Sequence, residues 1–426
     1  MTNRELLILG ETNYRNDRKR FGILNDDRRR HMFIVGKTGM GKSTLLLNCI
    51  VQDIQAGRGV AVIDPHGDLV ERVQDHVPAR RVNETIYFNP ADVDYPIAFN
   101  VLSNSDPKQR HLVASGVVQV FKKIWFDSWG PRLEYVLRNA ILALLEARGQ
   151  TLLGINRMLV DEAFRQRIMN AVNDPVLRHF WGVEFEQYPK VFRTETISPI
   201  LNKVGQFLAN PLMRNIVGQT KTRFDLSEVL ASGQILLLNL AKGKIGEDNS
   251  ALLGALMVTQ LYLAASRRAS VLEEERTDFF LYIDETHAYA TEDFPSILSE
   301  ARKYGLVIAG MANQFLAQLP KQLVSAILGN VGTLIAFACG SEDAEALARE
   351  FYPTFRAVDL NSLPQYNAYL RLSIDGKTSE PFSAETLPPP VSLKQSSRGK
   401  IIKQSRQRFC RSLQSVNERI ERWMHN

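Results

Sequence analysis

Between Met32 and Asn48 the chain reads as an apolar run, a glycine-rich turn and an apolar helical pattern. No other stretch constrains the fold as much. Met32 to Val35 has the unbroken hydrophobicity of a parallel strand buried on both faces. Gly36-Lys37-Thr38-Gly39-Met40-Gly41-Lys42-Ser43 follows, and helical periodicity begins at Thr44. G-x-x-x-x-G-K-S between a strand and a helix is the pattern of a phosphate-binding loop. Its glycines let successive backbone N–H groups converge on β- and γ-phosphates, aided by the positive end of the helix. The expected nucleotide-binding residues are therefore Gly36, Lys37, Thr38, Gly39, Met40, Gly41, Lys42, Ser43 and Thr44. Lys42 adds a point charge and Ser43 a hydroxyl ligand for Mg²⁺. The implied ligand is a nucleoside triphosphate.

With 426 residues the chain has room for two or three domains and a sizeable core. Its 45% hydrophobic and 23% charged residues are those of a soluble globular protein. The longest nearly apolar stretch, Ala251 to Ala265, is broken by Thr259 and Gln260 and is too short to span a bilayer. Arg4 and Glu5 exclude a signal peptide at the N-terminus. Cys49, Cys339 and Cys410 have neither metal spacing nor disulfide logic, which points to a reducing, cytoplasmic compartment. The net charge of +6 is local: from Val391 to Asn426, nine Lys/Arg against two Glu give +7, leaving about −1 elsewhere. That basic tail suits nucleic acid, acidic lipid or a solvated helix.

Taken in order, residues 1–31 form a polar arm or short hairpin, with Arg15, Arg18, Lys19, Arg20 and Arg28-Arg29-Arg30 facing phosphates or solvent. Gly59 to Asp64 reads as a second parallel strand and Thr85 to Phe88 as a third. Asp64, at a strand's carboxyl end, either orients loop groups and water or caps the next turn. From 107 to 230 strand signals vanish and helical periodicity takes over, at Pro107–Phe126, Pro131–Arg148, Thr151–Val160, Asp174–Tyr188 and Lys190–Asn210. About 120 residues is too long for a loop, so this block is expected to be an all-helical insertion. Strands resume at Gln234–Asn239, Phe279–Asp284, Leu306–Gly310 and Thr333–Ala338, and Ala368–Ser383 forms a hairpin turning at Asp375-Gly376. Leu387-Pro-Pro-Pro390 is expected to end the folded core. The domains expected are thus 1–106 and 231–386 as the two parts of an α/β core, 107–230 as the insertion, and 387–426 as a basic tail.

Phe279-Phe-Leu-Tyr-Ile-Asp284-Glu285 is a hydrophobic strand ending in two carboxylates. Beside a phosphate loop, Asp284 is expected to support Mg²⁺ with Ser43, and Glu285 to polarise the attacking water. Asn313-Gln314 closes another strand, where Gln314 is placed to sense the γ-phosphate. Arg302 and Lys303 precede that strand; Arg302 either complements a helix dipole or reaches a neighbouring subunit's nucleotide as an arginine finger. Lys303 is the weaker candidate, since only a guanidinium forks onto two oxygens. The catalytic set expected is Lys42, Asp284, Glu285, Gln314 and Arg302.

In sequence order, Gly36–Ser43, Val62-Ile-Asp-Pro-His-Gly-Asp-Leu69, Trp129-Gly-Pro-Arg-Leu-Glu134, Leu281-Tyr-Ile-Asp-Glu285, Glu300-Ala-Arg-Lys-Tyr-Gly305 and Ala312-Asn-Gln314 together resemble the TraD/TraG-type coupling ATPases of conjugation and type IV secretion, within the FtsK–HerA superfamily. The resemblance runs from about Gly10 to Trp423. It implies a RecA-like P-loop core with a mainly parallel sheet and a helical insert. It also implies ATP and Mg²⁺ as cofactors, a homo-hexameric ring that pumps DNA, and a relaxase or secretion-channel partner. Two departures stand out. Conjugative coupling proteins usually begin with membrane helices, which this chain lacks, so membrane attachment would need a partner. His66 also stands where a Lys is more usual.

Three readings remain. One is a DNA translocase on single- or double-stranded DNA, which includes a duplex pump away from any membrane. The others are a protein-directed secretion ATPase and a nucleotide-switched docking platform. Lys122-Lys123 and Lys242-Gly-Lys-Ile-Gly246 are candidate pore loops or plain surface.

Overall fold

Five apolar runs, MFIV, GVAVID, ILLLN, FFLYI and TLIA, become strands with every residue buried, as central parallel strands covered on both faces must be. The computed structural model describes residues 6–103, 106–391, 393 and 395–425. Met1–Glu5 of the N-terminal arm, and Ser392, Lys394 and Asn426 of the tail, lie outside them. In chain order the strands are β1 (Leu6–Thr12), β2 (Arg20–Leu24), β3 (Met32–Val35), β4 (Gly59–Asp64), β5 (Thr85–Phe88), β6 (Ile235–Asn239), β7 (Phe279–Ile283), β8 (Leu306–Asn313), β9 (Thr333–Ala336), β10 (Asn367–Arg371), β11 (Ser373–Ile374), β12 (Lys377–Thr378) and β13 (Phe382–Thr386). All but β11 and β12 share one sheet, ordered β2-β1-β13-β10-β9-β3-β8-β7-β4-β6-β5. From β9 to β5 every pairing is parallel, whereas β10, β13, β1 and β2 extend the sheet antiparallel. This is the α/β, mainly parallel core expected. The late hairpin is present, with β11 and β12 as its tip, and the N-terminal arm is a true hairpin paired to β13. The antiparallel strands β10 and β13 bury about every second residue, which explains their alternating sequence.

The chain gathers into two compact units. The first holds the sheet and takes in Met1–Phe88, Leu226–Asn239 and Ala264–Gln404. The second takes in Asn89–Asp225, Leu240–Leu263 and Ser405–Asn426. Its helices include Arg110–Ile124, Pro131–Glu146, Lys190–Ala209, Pro211–Val217 and most of Glu247–Ser266. These limits differ from the expected ones mainly at three places, each for a packing reason. The stretch from Asn89 to residue 106 joins the helices rather than the sheet, the Asn100 N–H donating to Thr222 Oγ1 at 2.8 Å. A Cβ on Gly116 would lie 2.5 Å from the Thr259 methyl, so the helix bearing Thr259 crosses Arg110–Ile124 too closely to belong elsewhere. Nor does order end at Leu387-Pro-Pro-Pro390, because helices Arg398–Phe409 and Leu413–His425 follow. Within the second unit, Arg406 Nε donates to Asp92 at 2.7 Å, Arg157 Nη1 to the Trp423 carbonyl at 3.1 Å, and Trp423 Nε1 to the Gly149 carbonyl at 3.2 Å. Within the first, Arg398 bonds Glu71 and Asp75. Part of the tail's positive charge is therefore spent inside the fold. No helix among the described residues is long and apolar enough to cross a membrane.

Candidate nucleotide site

The sheet order sets β8 between β3 and β7, with β4 beyond β7. Strands sit ~4.8 Å apart, so the carboxyl ends of β3 and β7 stand about 10 Å from each other. The chain's phosphate-loop glycines, its paired carboxylates and Asn313-Gln314 thus emerge side by side at one edge, the place where open α/β sheets bind ligands.

After β3 the backbone needs conformations that glycine supplies: φ is 154° at Gly36, 80° at Gly39 and 119° at Gly41. At Gly36 a Cβ would meet Phe337 Cβ at 2.6 Å, whereas at Gly39 it would meet nothing within 4 Å. The Gly36 N–H donates to the Asn313 carbonyl (3.3 Å) and the Lys37 N–H to the Ala338 carbonyl (2.8 Å), tying the loop to both flanking strands. The helix Lys42–Gln55 starts directly from the loop. Lys37, Thr38, Gly39 and Ser43 are exposed, Met40 and Gly41 half-buried, and Lys42 and Thr44 buried. Lys42 Nζ donates to the carbonyls of Gly36 (2.6 Å) and Lys37 (3.1 Å). Burial pushes its pKa below the ordinary lysine value, against the opposing pull of Glu285 and Asp284.

Asp284 is buried, and burial, with the charges of Asp64 and Glu285 beside it, pushes its carboxyl up to about 7. Glu285 sits in the left-handed region at φ 53°, ψ 59°, a conformation uncommon for a non-glycine residue and concentrated at functional sites. That turn folds the chain back so that His287 Nδ1 lies 3.2 Å from Glu285 Oε2. Burial raises the Glu285 carboxyl, but His287, Lys42 and His66 outweigh it and hold it below the ordinary glutamate value. His287 escaped the sequence reading because two residues along a chain face each other only where the backbone reverses. Asp64 takes the capping role: its Oδ1 accepts from the His66 N–H (2.8 Å) and its Oδ2 from the Val70 N–H (3.0 Å).

Gln314 is half-buried just past β8. Its neighbour Asn313 is fully buried, and neither side-chain amide atom finds a partner among the described residues. A buried amide left unpaired is costly unless something else completes it. Arg302 is not at this edge. It is exposed in the turn Ala301–Tyr304 that precedes β8, and β8 then runs eight residues to Asn313. At ~3.3 Å per residue that separates the two strand ends by about 23 Å. The fold therefore gathers Lys42, Asp284, Glu285 and Gln314 and leaves Arg302 at the opposite end of the sheet.

A profile described as the type IV secretion-system coupling protein DNA-binding domain matches residues 21–351. No curated protein matches the chain. Among solved structures, the bacterial conjugative coupling protein TrwBdeltaN70 in its unbound form is similar at TM-score 0.62 and 14% identity, over 93% of this chain and 91% of that one. The plasmid coupling protein TrwB in complex with ADP and Mg²⁺ is similar at TM-score 0.61 and 15% identity, over 88% and 90%. VirB4 of Thermoanaerobacter pseudethanolicus is similar at TM-score 0.59 and 15% identity, over 92% and 98%. With the profile covering most of its length, this chain belongs to the family of type IV secretion-system coupling protein DNA-binding domains.

Proposed function

We propose that this protein is an ATP-hydrolysing DNA translocase of the coupling type, working as a homo-hexameric ring in the cytoplasm and recruited by a relaxase or secretion-channel partner. The observation that carries the reading is the meeting of Lys42, on the glycine loop after β3, with the Asp284–Glu285 pair after β7. The same edge carries Asn313-Gln314. Structures of TrwB hold ADP with Mg²⁺ and non-hydrolysable analogues of GTP and ATP, which supports a nucleotide at this loop.

The donor set fits Mg²⁺ of the kind held largely by substrate. Among the described residues no three His, Cys, Asp or Glu side chains form a ready-made metal site. The chain offers the Ser43 hydroxyl and the Asp284 carboxylate, leaving other positions to phosphate oxygens and water, which is how Mg²⁺ is usually bound. When bound, Mg²⁺ supplies charge neutralisation at the β- and γ-phosphates. Lys42 would leave its two carbonyl partners for the same oxygens. Residues Thr38 to Thr44 would present their N–H groups to the phosphates, while those of Gly36 and Lys37 stay bonded to the Asn313 and Ala338 carbonyls and anchor the loop. Glu285, kept ionised by His287, would accept a proton from the attacking water. Gln314 would contact the γ-phosphate, and the unpaired Asn313 amide beside it would gain a partner. Arg302, too far from its own loop, would reach the loop of an adjacent copy and neutralise transition-state charge there.

The test is ATP hydrolysis by purified protein with and without single-stranded and duplex DNA, across a salt series. DNA stimulation that fades with salt is expected, because phosphate contacts release counterions. Lys42→Ala should abolish turnover. Glu285→Gln should lower kcat by about 10²- to 10⁴-fold while nucleotide binding persists. Turnover indifferent to any DNA would instead favour a motor acting on protein. Full function in Glu285→Gln would favour a nucleotide-switched docking platform.

A further inference from the structure

The turn before β13's partner strand, Pro364 to Asn367, lies across the back of the glycine loop. Gln365 Nε2 donates to the Gly39 carbonyl at 2.8 Å. The next residue's backbone N–H, that of Tyr366, donates to the Met40 carbonyl at 2.9 Å. At Gly41 a Cβ would meet the Tyr366 ring at 2.8 Å, so the ring rests on the third consecutive loop residue and only glycine fits beneath it. Tyr366 holds a left-handed backbone at φ 64°, a conformation that persists where surrounding contacts over-determine it. Those contacts are present. The Tyr366 carbonyl accepts from both the N–H (2.9 Å) and the hydroxyl (3.2 Å) of Thr386 on β13. Asn367 Nδ2 donates to the Gln365 carbonyl (3.1 Å), and the Asn367 Oδ1 accepts from Asn13 (2.8 Å).

A trans peptide is planar, with its C=O and N–H pointing opposite ways. Holding the Gly39 and Met40 carbonyls from behind therefore aims the Met40 and Gly41 N–H groups the opposite way within the same two peptide planes. In a phosphate-binding loop it is such N–H groups that meet the anion. We propose that Gln365 and Tyr366 are positioning residues for polyphosphate, a strap from the late hairpin that holds the glycine loop preformed for the phosphates of the nucleotide. The inference rests on the nucleotide reading of that loop. Gln365 is exposed and Tyr366 half-buried, so the strap's cost when removed falls on the loop rather than on the core.

The experiment compares wild type with Gln365→Met, which keeps length and loses the donor, and with the double variant Gln365→Met/Tyr366→Ala. ADP binding and displacement of a fluorescent ADP by inorganic pyrophosphate are both measured, alongside the unfolding midpoint without nucleotide. The double variant should bind ADP and pyrophosphate more weakly by the same factor, roughly tenfold for the loss of a hydrogen bond and a ring contact, with the midpoint unchanged. Unchanged affinity for both would overturn the proposal. Weaker ADP with unchanged pyrophosphate would also overturn it, because Tyr366 would then serve the base rather than the phosphates. Weakening that only tracks a lower midpoint would reduce the strap to a stability element. Lys42→Ala is the control for the underlying site: if it binds ADP as wild type does, the nucleotide reading itself fails.

Discussion

A single imidazole shows how local chemistry sets pH dependence in this fold. His31 precedes β3 in a left-handed conformation at φ 63° and is 1% exposed. Its Nδ1 accepts from the Ile308 N–H (3.0 Å), so Nε2 carries the proton and donates to the Leu298 carbonyl (2.9 Å). Burial disfavours a charged ring and, with Arg302 nearby, pushes the pKa down to about 4 despite that carbonyl. The unfolded chain binds a proton at about 6.5. Between those values the unfolded state holds a proton that the folded state refuses, so stability rises with pH and is lost as pH falls from about 6.5 toward 4. The contribution amounts to about 3 kcal/mol at most. His31→Asn, which tolerates the left-handed backbone, should flatten this part of the curve relative to wild type in urea melts at several pH values. An unaltered slope would refute the assignment. At this scale the sequence was legible wherever a residue type is dictated by covalent chemistry, as with Lys42, Asp284 and the loop glycines. It was silent on His31, His287 and Tyr366, whose roles arise from backbone reversals and contacts across hundreds of residues.

Between elements, one buried network joins the phosphate-loop helix to β7. Arg28, in the short helix Asn25–Arg28, forks onto Asp53 at 2.8 and 2.6 Å. The Tyr282 hydroxyl of β7 donates to Asp53 (2.7 Å) and accepts from Arg28 (3.0 Å), and Arg58 adds a second cation at 2.7 Å. Asp53 and Tyr282 are fully buried, and the Arg28 guanidinium lies 3.9 Å over the Phe280 ring. Truncating one partner of such a pair strands a charge, so Asp53→Ala should cost about 3–5 kcal/mol in equilibrium urea unfolding. Tyr282→Phe, which removes one hydroxyl while the ion pair stands, should cost nearer ~1 kcal/mol. Equal costs would mean that the hydroxyl, not the ion pair, organises the network. Most elements could be read from periodicity, because parallel strands buried on both faces are continuous apolar runs. The docking of the C-terminal helices, which the sequence offered at most as a solvated helix, could not. Their sequence is polar and basic, and only the fold brings Arg398 to Glu71 and Asp75, or Arg406 to Asp92.

For the whole molecule, the proposed ring makes each active site a property of two copies. Arg302→Ala should leave ADP affinity unchanged and lower hydrolysis by about 10³-fold or more, as loss of a trans-acting arginine does. Loss of binding in step with turnover would place Arg302 elsewhere than on a neighbour's phosphates. The sheet edge was readable from the polar residues at the strands' carboxyl ends, but the separation of Arg302 from that edge was not, since it depends on β8 running its full length in one direction.

That separation has a genetic corollary. A gene copy damaged at Arg302 still encodes a sound glycine loop, and one damaged at Lys42 still encodes a sound arginine. Expressed together in one cell, the two defective alleles should complement each other in part, because about a quarter of the junctions in a randomly mixed ring, and half in an alternating one, pair a working loop with a working arginine. Beside the wild type, the Arg302 allele should act in dominant fashion, each faulty protomer silencing the loop of a healthy neighbour, whereas a Lys42-damaged protomer silences only its own loop.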